Sequence, residues 1–60
     1  MASIVIKVMT IESCNAFVAL KNSEFVQMHG ECPEWRNGNI TMRVLEELEG
    51  SMVRVCFTTA

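Results

Sequence analysis

The fold of this 60-residue chain depends on NGNITMRVLEELEG, residues 37–50. Four apolar side chains recur in it at helical spacing: Ile40, Val44, Leu45 and Leu48. Strong helix formers fill its second half. Asn39 is placed to cap the start of a helix, and Gly50 stands where a glycine often follows the last turn. The pattern predicts an amphipathic helix over residues 39–49.

A second interpretation of the same stretch is a β-hairpin. Asn37-Gly38 is a strong signal for a two-residue hairpin turn. Beyond it, apolar and polar residues alternate as in a strand from Ile40 to Val44. Three glutamates would also lie at the negative end of the helix dipole, which is unfavourable. A small all-β barrel is therefore the alternative fold.

The two ends of the chain are predicted to be strands. From Ile4 to Met9 both alternating sets are largely apolar, as in a strand covered on both faces or packed beside a partner. Near the other end Val53, Val55 and Phe57 alternate with more polar residues and predict the last strand.

The region between the two ends is less regular. Turn formers at residues 12–15 precede an apolar segment, residues 16–21, which is expected to return antiparallel to the first strand. Residues 24–29 fit either a separate strand or a continuation with a bulge. The stretch from Gly30 to Pro33 is expected to break whatever precedes it and to begin a second unit, because Pro33 lacks a backbone N–H. We expect one α+β domain over residues 1–60, a small antiparallel sheet of three to four strands with one helix packed on it.

Composition narrows the classes of function. The net charge is -2, and the five basic residues are scattered singly, so no basic stripe is present for direct binding of nucleic acid. The longest apolar run, residues 16–20, is far shorter than the roughly 20 residues that span a bilayer. Neither a signal peptide nor a membrane anchor is expected, and an odd number of cysteines favours the cytoplasm.

The side chains that could carry chemistry are few. Three cysteines and one histidine are potential zinc ligands: Cys14, Cys32, Cys56 and His29. Only His29 and Cys32 are close in sequence, whereas structural zinc sites use two close pairs. No glycine-rich elbow or phosphate loop is present in the sequence. We expect no cofactor, no metal and no enzymatic activity.

A partner-binding surface is the remaining candidate. Trp35 and Arg36 lie in a polar stretch, and both residue types are enriched at interface hot spots, although Trp35 could instead be a lid on the core. Glutamates are bunched on either side of them. The predicted partner-binding residues are Trp35, Arg36, Glu31, Glu34, Glu46, Glu47 and Glu49.

In layout the chain resembles the Dmd family, the small antitoxins of T4-type bacteriophages. The likeness lies in an opening Ile4-Val5-Ile6-Lys7 strand, a single Trp35 ahead of the predicted helix, and a valine-rich closing strand with Cys56. It implies a non-enzymatic inhibitor that occupies the RNA-binding groove of a host endoribonuclease toxin in the host cytoplasm. An acidic surface suits that role, because a groove that binds RNA is basic. The alternative function is a structural protomer that self-associates, as a homodimer, through its apolar first strand.

Overall fold

A computed structural model describes residues 2–60 as one five-stranded antiparallel sheet with a single short helix. The elements in chain order are β1 (Ser3–Thr10), α1 (Ile11–Ala19), β2 (Ser23–His29), β3 (Cys32–Asn37), β4 (Ile40–Leu48) and β5 (Met52–Thr59). The strand order β1-β5-β4-β3-β2 makes β1 and β2 the two edges. An antiparallel sheet with one helix is thus confirmed, but it has five strands rather than three to four.

The helix is not where the sequence predicted it. Residues 39–49 form the central strand β4, which pairs with β3 on one side and β5 on the other. The prediction failed because β4 contains a bulge between Val44 and Glu46, which adds Leu45 to the strand. The bulge changes the alternation, so apolar residues from both faces of the strand reproduce helical spacing. Hydrogen bonding to two neighbours then outweighs the helix propensity of the glutamate-rich end.

Residues 11–19, predicted to be a turn followed by a strand, form α1 instead. Thr10 caps the helix, since its Oγ1 accepts a hydrogen bond from the Ser13 backbone N–H at 3.0 Å. Cys14 and Phe17, three residues apart, turn toward the sheet. The turn-forming residues that misled the prediction lie on the exposed side of the helix: Glu12, Ser13 and Asn15. Packing against the sheet does not restrict which residue types can occupy these positions.

One face of the sheet, here called the helix face, is covered by α1. Phe17 meets Phe57 of β5 edge-on with 5.7 Å between ring centroids. Cys14 Sγ lies 3.9 Å from the sulfur of Met42, whose side chain is fully buried. The buried residues are Cys14, Met42, Val44, Val53 and Val55. The other face carries no covering element within residues 2–60 and is called the open face.

The turns and the remaining strands can be compared with the sequence predictions one by one. Gly38 opens the two-residue turn between β3 and β4 with φ +61°, the sign that a type II′ turn needs at its first central residue. Residues 24–29 belong to a separate strand, β2, which settles the question the sequence left open. The break expected between Gly30 and Pro33 is present, since β2 ends at His29 and β3 begins at Cys32. Pro33 itself lies near the start of β3, opposite Met28.

Candidate interaction surfaces

Trp35 and Arg36 lie on opposite faces of the sheet because they are consecutive residues of β3. Trp35 is half-buried on the helix face, where it meets Phe25 edge-on with 5.6 Å between ring centroids. Arg36 is on the open face, where its guanidinium donates to Glu24 Oε2 at 2.9 Å. A single flat partner surface therefore cannot contact both side chains.

Glu34 lies on the open face in a small polar cluster rather than free in solvent. Its Oε1 contacts His29 Nε2 of β2 and is 3.4 Å from Gln27 Nε2. The hydrogen bond from His29 lowers the pKa of the Glu34 carboxyl and outweighs the opposing effect of burial. The hydrogen bond from Gln27 and the charge of Arg43 on β4 lower it further. The structure thus places Glu34 in contacts within the sheet.

Most of the glutamates meet at one end of the molecule. The Ile11 N–H donates to Ser51 O at 2.9 Å, so the start of α1 lies beside the β4–β5 turn. Cys32 Sγ is 3.8 Å from Leu45 O, which brings the β2–β3 turn to the same end. Five of the seven glutamates, all exposed, make up this acidic end: Glu12, Glu31, Glu46, Glu47 and Glu49.

The acidic end is only partly neutralised. Glu46 is paired with Arg54 of the neighbouring strand on the open face. Within residues 2–60 the other ion pairs are His29–Glu34 and Arg36–Glu24, neither of which involves the remaining four glutamates. Sequence reasoning found four of the five residues and missed Glu12. No signal in the sequence could have found it, because its place depends on α1.

The β1 edge exposes apolar side chains on both faces of the sheet. Val5 pairs with Phe57 and so lies on the helix face, where 54% of its surface is exposed. Three residues lie on the open face with exposed fractions of 68%, 60% and 47%: Ile4, Ile6 and Val8. This matches the sequence pattern of two apolar sets, but β5 is the only strand beside β1 within residues 2–60.

The free side of β1 also presents backbone groups. The Ile11–Ser51 hydrogen bond continues the β1–β5 register, in which Thr10 is opposite Met52. Backbone groups alternate in direction along a strand, so the odd-numbered residues of β1 face β5 and the even-numbered ones face away. The N–H and C=O groups of Ile4, Ile6 and Val8 therefore point outward from the sheet.

The cysteines and the histidine do not come together. Cys14 is buried against Met42, and desolvation raises the pKa of its thiol. His29 contacts Glu34, whereas Cys32 Sγ faces the Leu45 carbonyl. In the part of the chain that the structure describes, no three His, Cys, Asp or Glu side chains are grouped so that they could hold a metal ion.

Within residues 2–60, α1 is too short to cross a bilayer. Comparison with protein-family models, curated proteins and solved structures finds no match to this chain.

Proposed function

We propose that the chain is a non-enzymatic, antitoxin-like inhibitor that binds the basic RNA-binding groove of a host endoribonuclease toxin in the host cytoplasm. The observation that supports this best is the acidic end, where five exposed glutamates lie at the same end of the sheet. Carboxylates presented on one end of a small domain imitate the charge of an RNA backbone. The resemblance to the Dmd family supports the same class of partner.

Electrostatics gives the proposal its mechanism. A net charge of -2 on a chain of 6.8 kDa, concentrated at one end, steers that end toward a positive cleft and raises the association rate. Glu47 and Glu49 are expected to act most strongly, since Glu46 is already paired with Arg54. The contribution of rim charges of this kind falls as salt screens them.

Trp35 and Arg36 then have separate roles. The edge-to-face contact with Phe25 favours a structural role for Trp35, the core lid that was the alternative to an interface anchor. We expect Trp35→Ala to lower the free energy of unfolding by about 2–3 kcal/mol, somewhat less than truncation of a fully buried Trp. A variant that keeps its melting temperature but loses partner binding would restore the anchor interpretation. Arg36 and Glu34 act within the sheet.

The test is inhibition of RNA cleavage by a panel of purified basic endoribonuclease toxins. The chain should block cleavage by at least one toxin at a near-stoichiometric ratio and should cleave no RNA itself. Reversal of Glu46, Glu47 and Glu49 to Lys should slow association and weaken its salt dependence, while the melting temperature changes little. Failure to inhibit any toxin in the panel would count against the proposal.

A matched pair of single variants controls for net charge. Glu49→Lys and Glu24→Lys change the total charge equally, but Glu24 lies on the open face of β2, away from the acidic end. Only Glu49→Lys should weaken inhibition. Equal effects of the two would mean that net charge, rather than the acidic end, governs binding.

A structural protomer is a second candidate function, which the apolar β1 edge favours. An eight-residue edge strand with outward backbone groups and exposed apolar side chains on both faces is suited to continue a sheet. The acidic end and the β1 edge do not exclude each other, because Ile4, Ile6 and Val8 lie along one side of the sheet whereas the glutamates lie at its end.

A further inference from the structure

We propose that β1 pairs antiparallel with β1 of a second copy of this chain, about a two-fold axis at Ile6, so that two sheets become one. This inference rests on the second candidate function, the structural protomer, and does not depend on inhibition of a toxin.

The backbone of β1 is suited to a copy of itself. The outward groups belong to Ile4, Ile6 and Val8, as the Ile11–Ser51 bond and the β1–β5 register require. In an antiparallel pair, hydrogen-bonded positions must be opposite hydrogen-bonded positions. Ile6 opposite Ile6 of the second copy, and Ile4 opposite Val8, meet this condition and form about six backbone hydrogen bonds.

The side chains are self-complementary in the same register. On the open face, the Ile6 pair is flanked by two Ile4–Val8 pairs, a row of β-branched side chains across the joint. On the helix face, Val5 lies opposite Lys7 of the second copy, where the aliphatic stem of the lysine covers the valine. Every apolar side chain exposed on β1 thereby gains an apolar neighbour.

Charge disfavours one of the two neighbouring registers, and loss of apolar contact disfavours the other. Lys7 is the only charged residue of β1. A slip that centres the axis on Lys7 would place two ammonium groups directly opposite each other, which is unfavourable. A slip the other way would centre the axis on Val5 and pair Ile4 with Ile6, but it would leave Val8 opposite the small side chain of Ala2. The axis at Ile6 keeps the lysines apart and also gives Val8 a β-branched partner.

The same arrangement closes the assembly at two copies. Pairing uses both β1 strands, so the outer edges of the joined sheet are the two β2 strands. β2 is bulged between Phe25 and Gln27 and carries Glu24, Gln27 and His29 on its open face. Bulges and charged residues at an edge hinder further strand pairing. We therefore expect a dimer rather than a fibre.

The first experiment measures the mass of the full chain by sedimentation equilibrium over a range of concentrations, with folding checked by circular dichroism. Ile6→Lys places a charge at the axis and should weaken dimerisation by at least about tenfold. Met28→Lys is the matched control on the opposite edge, since Met28 is 51% exposed and Ile6 60%. The control should dimerise like the parent chain.

The second experiment tests the register with two variants of one exposed residue. Val5→Lys puts an ammonium group opposite Lys7 of the second copy and should weaken the dimer by at least about tenfold. Val5→Glu removes the same valine but puts a carboxylate opposite that lysine, so its dimer should be at least as tight as that of the parent. Both changes are tolerable in the monomer, because more than half of Val5 is exposed.

The outcomes separate the interface from the function on which it rests. A parent chain that stays monomeric at millimolar concentration would overturn both the protomer function and the β1 pairing. A parent dimer that Ile6→Lys leaves intact would keep the protomer but overturn the interface. A Val5→Glu dimer as weak as that of Val5→Lys would overturn the register, and a parent assembly larger than a dimer would overturn closure at two copies.

Discussion

β1 and β2 run along opposite edges of the same sheet, but they differ in regularity and in side-chain chemistry. β1 pairs with β5 over eight consecutive residues without a bulge and is apolar on both faces, with Lys7 as its one charge. β2 has a bulge after Phe25, and its open face carries Glu24, Gln27 and His29 in contact with residues of β3.

The contrast indicates that β2 is the better protected of the two edges against pairing with another strand. A sheet edge offers unpaired backbone groups to any passing strand, and natural edges limit this with charges and bulges. β2 uses both devices, and its exposed Phe25 is held against Trp35. On β1 the only such device is Lys7, whose ammonium lies 5.8 Å from the centre of the Phe57 ring. The asymmetry supports the proposed pairing through β1.

The largest effect should come from the core that the two edges share. Met42 is fully buried in the central strand, so Met42→Ala should lower the free energy of unfolding by about 2–5 kcal/mol. Ile6→Ala removes a side chain that is mostly exposed and should lower it by less than about 1 kcal/mol. Urea unfolding at low protein concentration measures both. If the two variants lose equal stability, β1 is not the solvent-exposed edge described here.

The sequence predicted the strands at the two ends of the chain, but it misassigned the secondary structure of segments between them. β1 and β5 were predictable because their apolar alternation is uninterrupted. The first half of β4, from Ile40 to Val44, was recognised as a strand only in the alternative interpretation, because one bulge at Leu45 altered the periodicity of the whole segment toward that of a helix. α1 was missed because its exposed side consists of turn formers and its cap, Thr10, is the last residue of a strand. Errors of this kind arise where tertiary pairing overrides local preference.

Prediction of the candidate surfaces had a similar limit. Glutamates bunched in sequence lie at the two turns of one end of the sheet, so the sequence pointed to Glu31, Glu47 and Glu49 as one group. Trp35 and Arg36 could be assigned to different faces only once residues 32–37 were known to be a strand. The pairing of Glu34 with His29 depends on the bulge in β2, which no local pattern indicates.

A smaller effect should distinguish the edges by their response to acid. The pKa of Glu34 is lowered in the folded chain, chiefly by its hydrogen bond with His29. Between the ordinary value of 4.5 and the lowered one, the unfolded chain therefore binds more protons than the folded chain. Glu34 thus contributes stability above this window, and that contribution is lost as the pH falls through it. The groups facing Glu34 are Gln27 and His29 on β2 and Arg43 on β4.

Melting temperatures recorded from about pH 7 to about pH 3 test this contribution. The fall in melting temperature over that range should be smaller for Glu34→Gln than for the parent chain. Glu31→Gln, in the exposed turn next to β3, is the matched control and should follow the parent. A parent-like fall in Glu34→Gln would mean that the His29 contact contributes nothing to the stability of the β2 edge.

The smallest effect should come from the exposed pair between β2 and β3. Arg36 and Glu24 are directly opposite each other on the open face and 2.9 Å apart, but both side chains are more than half exposed. Solvent and salt screen such a pair, so a double-mutant cycle with Glu24→Ala and Arg36→Ala should give a coupling free energy of about 0.2–1 kcal/mol. Raising the ionic strength to about 1 M, where the screening length is about 3 Å, should reduce it further.

A pair this weak stabilises the sheet only slightly. We expect its larger role to be keeping the open face of the β2 edge charged. We therefore expect Glu24→Val combined with Arg36→Val to leave the monomer nearly as stable while increasing self-association beyond the dimer, detected as a rise in light scattering with concentration. If that double variant assembles no further than the parent, the bulge in β2 is sufficient to protect its edge, and the charges on β2 are not needed for the contrast with β1.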